Sequence, residues 1–587
     1  MTQQDLTHQP TQAGQPDQGA QQASHRTPWH AVADWLRFHD RRTVFGLPGD
    51  DLGLLEALED ADTRLVLCRD QRNAVFMTTG YALASGGFGV CVVGKGPALT
   101  NTLTGLLEAR TGGVPLVLIA GGTGADRRGA GAFQELDQLA VVQPLVSWAH
   151  RVDDPARLPA ALDKAAALAA AGVPGPVYLE IPDHLLEQAV PHDRPWAAVP
   201  VRLPSAALAD DAGYAVLAAA RRPVLLVGGG LRGRNEDRVL ERLADRTGAA
   251  VFATASGRGA FDEHHPAFAG LAGLYTPQAA RELWQTADAV IALGSRLEET
   301  ATYPLGFAPA GVPVVQVNTD PAGLSHEFAG PRLVGDAAST AAGWLARLEQ
   351  AGAAPDEDRR AAIDTARERV RAAAGTRLAA AAAAGRITVA QVLAELDEAV
   401  GPDRILVQEN GLQDMWSYFH PYWVCGPTAG SIVPSEQTSL GFGASAAGGA
   451  ALAAPGRTVV ALVGDGAFAM VANDLRTLAR EGAPVIYVVL RNGGYGWLQR
   501  QLDERGTPSR FRFTHDAERL HVPDLDGVHH LPVGPDAPVA ELREALRQAV
   551  AVHGKGGIAV LEVAVDLGDV SDEIVELSHE SAPAISY

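Results

Sequence analysis

The chain has 587 residues, of which 47% are hydrophobic and 20% charged, and its formal net charge is −21 at pH 7. This length exceeds what one hydrophobic core supports, so we expect about three domains in an ordinary globular protein. The negative charge argues against a nucleic-acid partner, because binding to a phosphate backbone requires a basic surface. Cys68, Cys91 and Cys425 are too few and too widely spaced for a disulfide framework or a zinc site.

Residues 1–28 are rich in Gln, Thr, Ala and Gly and contain no apolar run of the signal-peptide type. We expect this segment to be a disordered tail. No apolar run reaches the length of a transmembrane helix, and scattered cysteines suit a reducing compartment. The sequence therefore predicts a cytoplasmic protein with no membrane partner.

From residue 29 onward, short apolar runs alternate with stretches of helical periodicity. We place three domains at residues 29–190, 205–350 and 387–587, with a linker rich in Ala, Arg and Glu at 351–386. Continuous apolar runs are typical of strands buried on both faces of a parallel sheet. The runs are TVFGLPG, RLVLC, FGVCVVG, VPLVLIAGG and GPVYLEIP, then RPVLLVGGG, AAVFATAS, DAVIALGS and VPVVQVNTD, then RILVQENG, TVVALVGDG, PVIYVVLRNGG and GIAVLEVAVD. The sequence predicts an α/β protein of three doubly wound parallel-sheet domains.

Two glycine-rich turns in the third unit each follow a predicted strand. The first is Gly-Asp-Gly with Asp465 at its centre, the second begins at Asn492, and the helical stretch between them stops at Gly482. Asp465 and Asn492 should emerge side by side at the carboxyl ends of neighbouring strands, where open α/β sheets bind ligands. A carboxylate, a carboxamide and a carbonyl exposed by glycine are hard oxygen ligands, which suit Mg²⁺ that is also held by phosphate oxygens.

This pair of turns resembles the diphosphate-binding motif of thiamine diphosphate enzymes, in which Gly-Asp-Gly is followed by a paired-Asn turn. The three units resemble, in order, the pyrimidine-binding, central and diphosphate-binding domains of the acetohydroxyacid (acetolactate) synthase and pyruvate oxidase branch. VFGLPGD, GPALTN, GAFQELDQLA, LVGGG and GAFDEHHP match that family in the same order. The resemblance implies thiamine diphosphate as cofactor, with Asp465, Asn492 and the carbonyl of Gly494 as Mg²⁺ ligands. Arg491 replaces the first Asn of the family's pair.

The resemblance also implies the side chains around the cofactor. Leu440 would support its bent shape, the carbonyl of Thr438 would accept from its 4′-amino group, and catalytic roles fall on Gln71, Leu440 and Gln134. Plain core packing of Leu440 and ordinary loop architecture around Gln134 are the alternatives. The implied cofactor contacts are Pro48, Gly49, Gln71, Asn101, Thr438, Leu440, Gly464, Asp465, Gly466, Ala467, Asn492, Gly494 and Tyr495.

The family's catalytic glutamate is replaced in this chain. The family segment reads Arg-His-Glu, then a Phe five residues later, then Gly-Tyr-Ala; here residues 69–71 read Arg-Asp-Gln, followed by Phe76 and by Gly-Tyr-Ala at 80–82. Gln71 can form a hydrogen bond to the pyrimidine ring but cannot exchange a proton with it at accessible pH. Three interpretations stay open. Activation is slower without a carboxylate, as in glyoxylate carboligases; Asp70 acts instead; or the chain binds cofactor without the chemistry.

Residues 228–233 of the second unit fit a GxGxxG dinucleotide fingerprint. A dinucleotide site also needs an acidic residue at the end of the next strand, and AAVFATASGRG offers none. The resembling branch allows FAD in this domain. The segment LAGLYTP and residues 318–320 differ from the family's flavin-contact segments, which argues against FAD.

The resemblance implies a Mg²⁺-dependent 2-oxo acid decarboxylase/carboligase like acetolactate synthase, which forms a carbon–carbon bond between an activated aldehyde and a carbonyl acceptor. Segments 408–423 and 495–506 depart from the housekeeping synthases, which suggests a specialised acceptor. In the family two chains complete one site, which implies a homodimer or homotetramer. Two alternatives stay open: a cofactor-binding paralogue without the usual chemistry, and a flavin or nicotinamide oxidoreductase using the central domain.

Overall fold

The computed structural model describes residues 26–49, 52–191, 195–198, 211–303, 308–352, 357–426, 430–505, 510–514 and 520–571. Residues 1–25 of the predicted tail lie outside these ranges, as do short parts of each predicted domain and of the linker. The domain boundaries therefore stay a prediction.

The first domain is a parallel sheet covered by helices on both faces. Its strands are β1 (Thr43–Leu47), β2 (Arg64–Leu67), β3 (Gly89–Val93), β4 (Leu116–Gly122), β5 (Trp148–Arg151) and β6 (Pro176–Pro182). Its helices are α1 (Pro28–Phe38), α2 (Gly53–Asp60), α3 (Gln71–Ser85), α4 (Pro97–Thr100), α5 (Leu103–Thr111), α6 (Gln138–Val142) and α7 (Leu158–Ala170). The strand order is β2-β1-β3-β4-β6-β5. Because successive strand residues face opposite sides, Val92 packs with α1, α2 and α7, and Val93 packs with α3 and α5.

The central domain repeats this architecture. Its strands are β7 (Pro223–Val227), β8 (Ala250–Ala253), β9 (Phe268–Leu271), β10 (Ala289–Leu293), β11 (Val314–Asn318) and β12 (Arg332–Val334). Its helices are α8 (Asp211–Ala219), α9 (Val239–Thr247), α10 (Arg281–Gln285), α11 (Glu299–Thr302) and α12 (Ala337–Ala351). The strand order is β12-β11-β10-β7-β8-β9, and the described pairings are parallel.

A long helix, α13 (Glu357–Ala384), occupies the predicted linker. Ile363 and Val370 are buried in the core of the central domain, whereas Ala374 is buried in the core of the third domain. The helix thus packs on both domains that it joins.

The third domain carries the predicted metal turns. Its strands are β13 (Arg404–Gln408), β14 (Gly430–Ile432), β15 (Thr458–Gly464), β16 (Ile486–Arg491), β17 (Val528–Val533) and β18 (Ile558–Ala564). Its helices are α14 (Val389–Val400), α15 (Phe442–Ala453), α16 (Asp465–Val471), α17 (Leu475–Glu481), α18 (Gly496–Glu504) and α19 (Val539–His553). The strand order is β14-β13-β15-β16-β18-β17. The single helical stretch predicted between the turns is divided into α16 and α17 by a 3₁₀ turn, and it ends at Gly482 as predicted.

Among the described helices, no single one is both long and apolar enough to cross a membrane. Helices α13 and α14 meet that criterion only as a pair, bent by 106°.

The first and third domains share one hydrophobic core through α3 and α15. Phe76 and Phe442 meet edge to face, with ring centroids 5.6 Å apart. Glycine permits the close approach of the two helices, because a methyl group on Gly449 would lie 1.8 Å from the carbonyl oxygen of Met77. This packing fixes the first sheet relative to the third within one chain.

A buried ion pair fastens the central domain to the third. Arg258 is 3% exposed and contacts the Glu263 carboxylate at 3.0 and 3.1 Å. The same guanidinium donates to the carbonyl oxygens of Ser417 and Trp423, at 2.7 and 2.8 Å. Glu263 also accepts from the backbone N–H of Cys425 at 2.8 Å. The segment between β13 and β14 is therefore held from the central domain.

Candidate functional site

The two glycine-rich turns lie next to each other at the carboxyl edge of the third sheet, because β15 and β16 are parallel neighbours. Asp465 begins α16, and its Oδ2 accepts a hydrogen bond from the backbone N–H of Gly493 at 3.1 Å. The backbone N–H of Gly494 donates to Asn492 Oδ1 at 2.9 Å. The structure thus brings together the turns of Asp465 and Asn492, as their spacing indicates.

The backbone beside these turns is open, and the side chains there are of a kind that can hold a divalent cation. A methyl group built on Gly464 would meet no atom within 4 Å, and one on Gly466 would meet only the ring edge of Tyr495, at 3.8 Å. The carboxylate of Asp465 and the carboxamide oxygen of Asn492 are hard ligands of the kind that Mg²⁺ prefers. Ala467 is buried behind the turn, and the Tyr495 side chain is 52% exposed beside it.

The turn before α15 presents Leu440 to solvent. Thr438 has φ of +45°, in the left-handed region, and Leu440 is 48% exposed. Plain core packing of Leu440 is therefore excluded for the single chain. The carbonyl oxygen of Thr438 accepts from Asn410 Nδ2 at 3.2 Å, which anchors the turn to the end of β13.

A buried carboxylate of the first domain holds the start of this turn. Glu108, on α5, is 2% exposed. Its oxygens accept from the backbone N–H groups of Ser435 and Ser439, the latter at 3.1 Å. The first domain therefore positions, within the same chain, the segment that carries Thr438 and Leu440.

A second buried carboxylate holds the end of the turn. Glu409 is 1% exposed and accepts from the backbone N–H groups of Gly441 and Ala444, both at 3.1 Å. These N–H groups belong to the start of α15, where no preceding helical turn satisfies them. Burial raises the pKa of Glu409 from its ordinary value to about 7, and the backbone hydrogen bonds oppose that rise.

Gln71 is the first residue of α3. Its Oε1 accepts a hydrogen bond from Asn101 Nδ2 at 3.0 Å. The preceding residue, Asp70, is the N-cap of the helix and accepts from the backbone N–H of Arg72 at 2.8 Å. The structure brings Gln71 and Asn101 together and uses the Asp70 carboxylate as a helix cap.

The remaining first-domain residues form one cluster of loops at the carboxyl edge of the first sheet. Pro48 and Gly49 follow β1, and a methyl group on Gly94 would lie 3.1 Å from the Gly49 Cα. Gly96 has φ of +58°, and a methyl group there would lie 2.7 Å from the Gln134 carbonyl oxygen. The loop after β3 therefore contacts both the Pro48–Gly49 turn and Gln134.

A buried hydrogen-bond network supports that loop. Gln138 Oε1 accepts from the backbone N–H of Gly96 at 2.7 Å, and its Nε2 donates to the Tyr178 hydroxyl at 2.9 Å. Tyr178 in turn donates to Glu180, which is paired with Arg151 at 2.6 Å. Each of these side chains has a hydrogen-bond partner within the network, so the loop after β3 is held in one position.

Gly228 and Gly229, in the GxGxxG run of the central domain, allow neighbouring loops to pack closely. A methyl group on Gly228 would lie 2.3 Å from the carbonyl oxygen of Gly294, and one on Gly229 would lie 2.9 Å from Ser256 Oγ. Arg232 donates to the Ser256 carbonyl oxygen at 2.8 Å across the same loops. These close approaches account for the Gly-rich run, which gives no support for a bound dinucleotide.

Comparisons with known proteins agree with this arrangement. Models of the thiamine pyrophosphate enzyme family match the chain in three parts: the N-terminal TPP binding domain at residues 27–141, the central domain at 212–343 and the C-terminal TPP binding domain at 411–563. The chain is 32% identical to an acetolactate synthase of Mycobacterium bovis over 82% of its length and 78% of that protein. The chain belongs to the thiamine pyrophosphate enzymes.

Other relatives place the chain in the same part of this family. It is 32% identical to an acetolactate synthase large subunit of Parasynechococcus marenigrum, over 82% of the chain and 79% of that protein. It is 30% identical to the acetolactate synthase isozyme 2 large subunit of Escherichia coli, over 85% of the chain and 89% of that protein. The chain is thus a thiamine diphosphate-dependent enzyme of the acetolactate synthase type, thiamine diphosphate being another name for thiamine pyrophosphate.

The sequence patterns gave no role in holding the site to several polar residues. Glu409, Asn410 and Gln413 follow β13 in segment 408–423, which the sequence singled out only by its departure from the housekeeping synthases. Glu108 lies within α5, where nothing in the sequence separates it from an exposed helical glutamate.

Proposed function

We propose that this enzyme is a thiamine diphosphate- and Mg²⁺-dependent carboligase that decarboxylates a 2-oxo acid and joins the remaining carbon unit to a carbonyl acceptor. The observation that carries the proposal is the juxtaposition of Asp465 and Asn492 beside open glycines in a chain similar to acetolactate synthases. When bound, the cofactor supplies a carbon nucleophile and an electron sink. The protein binds, orients and desolvates the reactants.

In this proposal, different residues of the third domain bind the metal ion and support the cofactor. Asp465, Asn492 and the carbonyl of Gly494 would hold Mg²⁺ and, through it, the diphosphate. Leu440 would support the bent cofactor, since its side chain projects from a turn fixed by Glu108.

Gln71 determines how the cofactor is activated. Its carboxamide is held by Asn101 and can donate or accept a hydrogen bond without exchanging a proton. Asp70 caps α3, which disfavours it as a substitute acid. We therefore infer that activation proceeds without a carboxylate at this position and that the chemical step is slower than with one.

A complete site in this proposal requires two copies of the chain. Phe133 of the first domain is 74% exposed, and Leu440 and Tyr495 of the third are 48% and 52% exposed. Exposed apolar side chains thus stand at both groups of site residues, where a second copy of the chain would cover them. We propose a homodimer, or a tetramer of such dimers.

Product analysis tests the proposal. The full chain is incubated with thiamine diphosphate, Mg²⁺ and a panel of 2-oxo acids with and without aldehydes, and CO₂ and ligation products are measured. We expect both to appear, and to be abolished in Asp465→Ala. Absence of CO₂ and of any carbon–carbon product across the panel would overturn the proposed function. The Gln71→Glu variant then shows whether the missing carboxylate is the cause. Turnover that appears only in Gln71→Glu would identify the wild type as a cofactor-binding protein without the chemistry.

A further inference from the structure

We propose that Gln413 sets the orientation of the Asn492 carboxamide and so makes the Asn492 oxygen available to a divalent cation. The inference rests on the proposed cation site and adds a positioning residue to it. Gln413 is 3% exposed and lies between the metal turn and the segment that follows β18.

The hydrogen bonds run in series from Leu567 through Gln413 and Asn492 to Gly494. A backbone group at each end of this series fixes which side-chain atoms donate and which accept. The carbonyl oxygen of Leu567 can only accept, and Gln413 Nε2 donates to it at 3.0 Å. Gln413 Oε1 therefore faces the opposite side, where it accepts from Asn492 Nδ2 at 2.6 Å. At the far end, the backbone N–H of Gly494 can only donate, and Asn492 Oδ1 accepts from it at 2.9 Å.

This polarity matters because the two ends of a carboxamide differ in chemistry. The oxygen is a hard cation ligand, whereas the NH₂ group is a donor that repels a cation. Turning Asn492 over would place its oxygen against Gln413 Oε1 and its NH₂ group against the Gly494 N–H. Turning Gln413 over as well would place its oxygen against the Leu567 carbonyl. Each alternative orientation thus opposes like groups in a partly buried place, where such mismatches carry a cost.

The segment after β18, which carries Leu567, is itself anchored by hydrogen bonds. Asp569 accepts from the backbone N–H of Val389 at 2.7 Å through its carboxylate, and from Trp416 Nε1 at 3.2 Å through its carbonyl oxygen. Leu567 is therefore a fixed reference point for Gln413. The segment after β18 positions a proposed cation ligand without contacting the cation.

A double-mutant cycle in cation affinity tests the proposal. Mn²⁺ replaces Mg²⁺, thiamine diphosphate is kept at constant excess, and free Mn²⁺ is measured by electron paramagnetic resonance. Removing an outer-shell partner typically weakens metal binding by about tenfold or more, and we expect that loss in Gln413→Met. In Asn492→Asp either carboxylate oxygen can bind the cation, so adding Gln413→Met should cost less than about threefold.

A second variant separates hydrogen bonding from packing. Gln413→Glu keeps an acceptor facing Asn492 but loses the donor to the Leu567 carbonyl oxygen, so we expect its Mn²⁺ affinity to fall less than that of Gln413→Met. A role in packing alone predicts the reverse, because methionine preserves an uncharged side chain of similar size and glutamate buries a charge. An equal loss from Gln413→Met in both backgrounds, or no loss in either, would overturn the proposal. Failure of the wild type to bind Mn²⁺ with thiamine diphosphate would instead overturn the cation site itself.

Discussion

Replacing Glu108 by glutamine should loosen the turn that carries Thr438 and Leu440 and weaken cofactor binding. The Glu108 carboxylate accepts from two backbone N–H groups of that turn and is shielded from water. Glutamine preserves the size of the side chain and one acceptor oxygen. Its NH₂ group would face the second N–H group, which then has no acceptor.

The size of the effect follows from the number of bonds. A hydrogen bond to a charged group contributes about 1.5–3 kcal/mol, and Gln at position 108 loses one of two such bonds. A free-energy loss of about 1.5–3 kcal/mol that falls wholly on the turn would weaken thiamine diphosphate binding by about ten- to a hundredfold.

Calorimetric titration with thiamine diphosphate and Mg²⁺, with hydrogen exchange of residues 435–444, measures both consequences. Glu241→Gln is the matched control: Glu241 is 3% exposed and also accepts from a backbone N–H, that of Asp262 at 3.0 Å, within the central domain. We expect comparable loss of thermal stability in both variants but loss of cofactor affinity only in Glu108→Gln. Unchanged affinity and exchange in Glu108→Gln, or an equal loss of affinity in Glu241→Gln, would refute the reasoning.

Four further variants test stability. Gly449→Ala should destabilise the fold by about 3 kcal/mol or more in urea unfolding, since its methyl group would overlap a carbonyl oxygen of α3. Gly375→Ala on α13, with no atom within 4 Å, should instead gain about 0.5–1 kcal/mol. Arg258→Met should cost about 3–5 kcal/mol, because Glu263 is left buried without its partner; a melting temperature equal to wild type would contradict this. Glu409 has a folded-state pKa of about 7, above its ordinary value of 4.5, so its contribution to stability is full below pH 4.5 and is lost as pH rises to 7. Glu409→Gln should remove about 3 kcal/mol of that pH dependence, measured by urea unfolding across this range.

The strands show where sequence patterns succeed. The apolar runs predicted the interior strands of all three sheets and the edge strand β2, but not the other five edge strands, β5, β9, β12, β14 and β17. An interior strand of a doubly covered sheet is buried on both faces and must be apolar throughout. Strand β17 is exposed at His529 and His530, and the other four missed strands have only three or four residues each, so their composition carries a weaker signal.

The candidate site likewise has parts that could be recognised from the sequence and parts that could not. The turns of Asp465 and Asn492 could be recognised because each turn is local, with its glycines adjacent in sequence to the polar residue. The resemblance supplied their chemistry, and the family is confirmed by the comparisons. The individual roles of Gln71, Leu440 and Gln134 stay predictions.

The sequence by itself determined the α/β class, the number of parallel sheets and the position of the two glycine-rich turns, since these depend on burial patterns and on residues close together in the chain. Only the tertiary structure decided what holds the site. Glu108 reaches a backbone N–H 327 residues away, and Gln413 joins Leu567 to Asn492 over separations of 154 and 79 residues. Such contacts leave no periodic pattern in the sequence, because they depend on which surfaces meet when the sheets and helices pack.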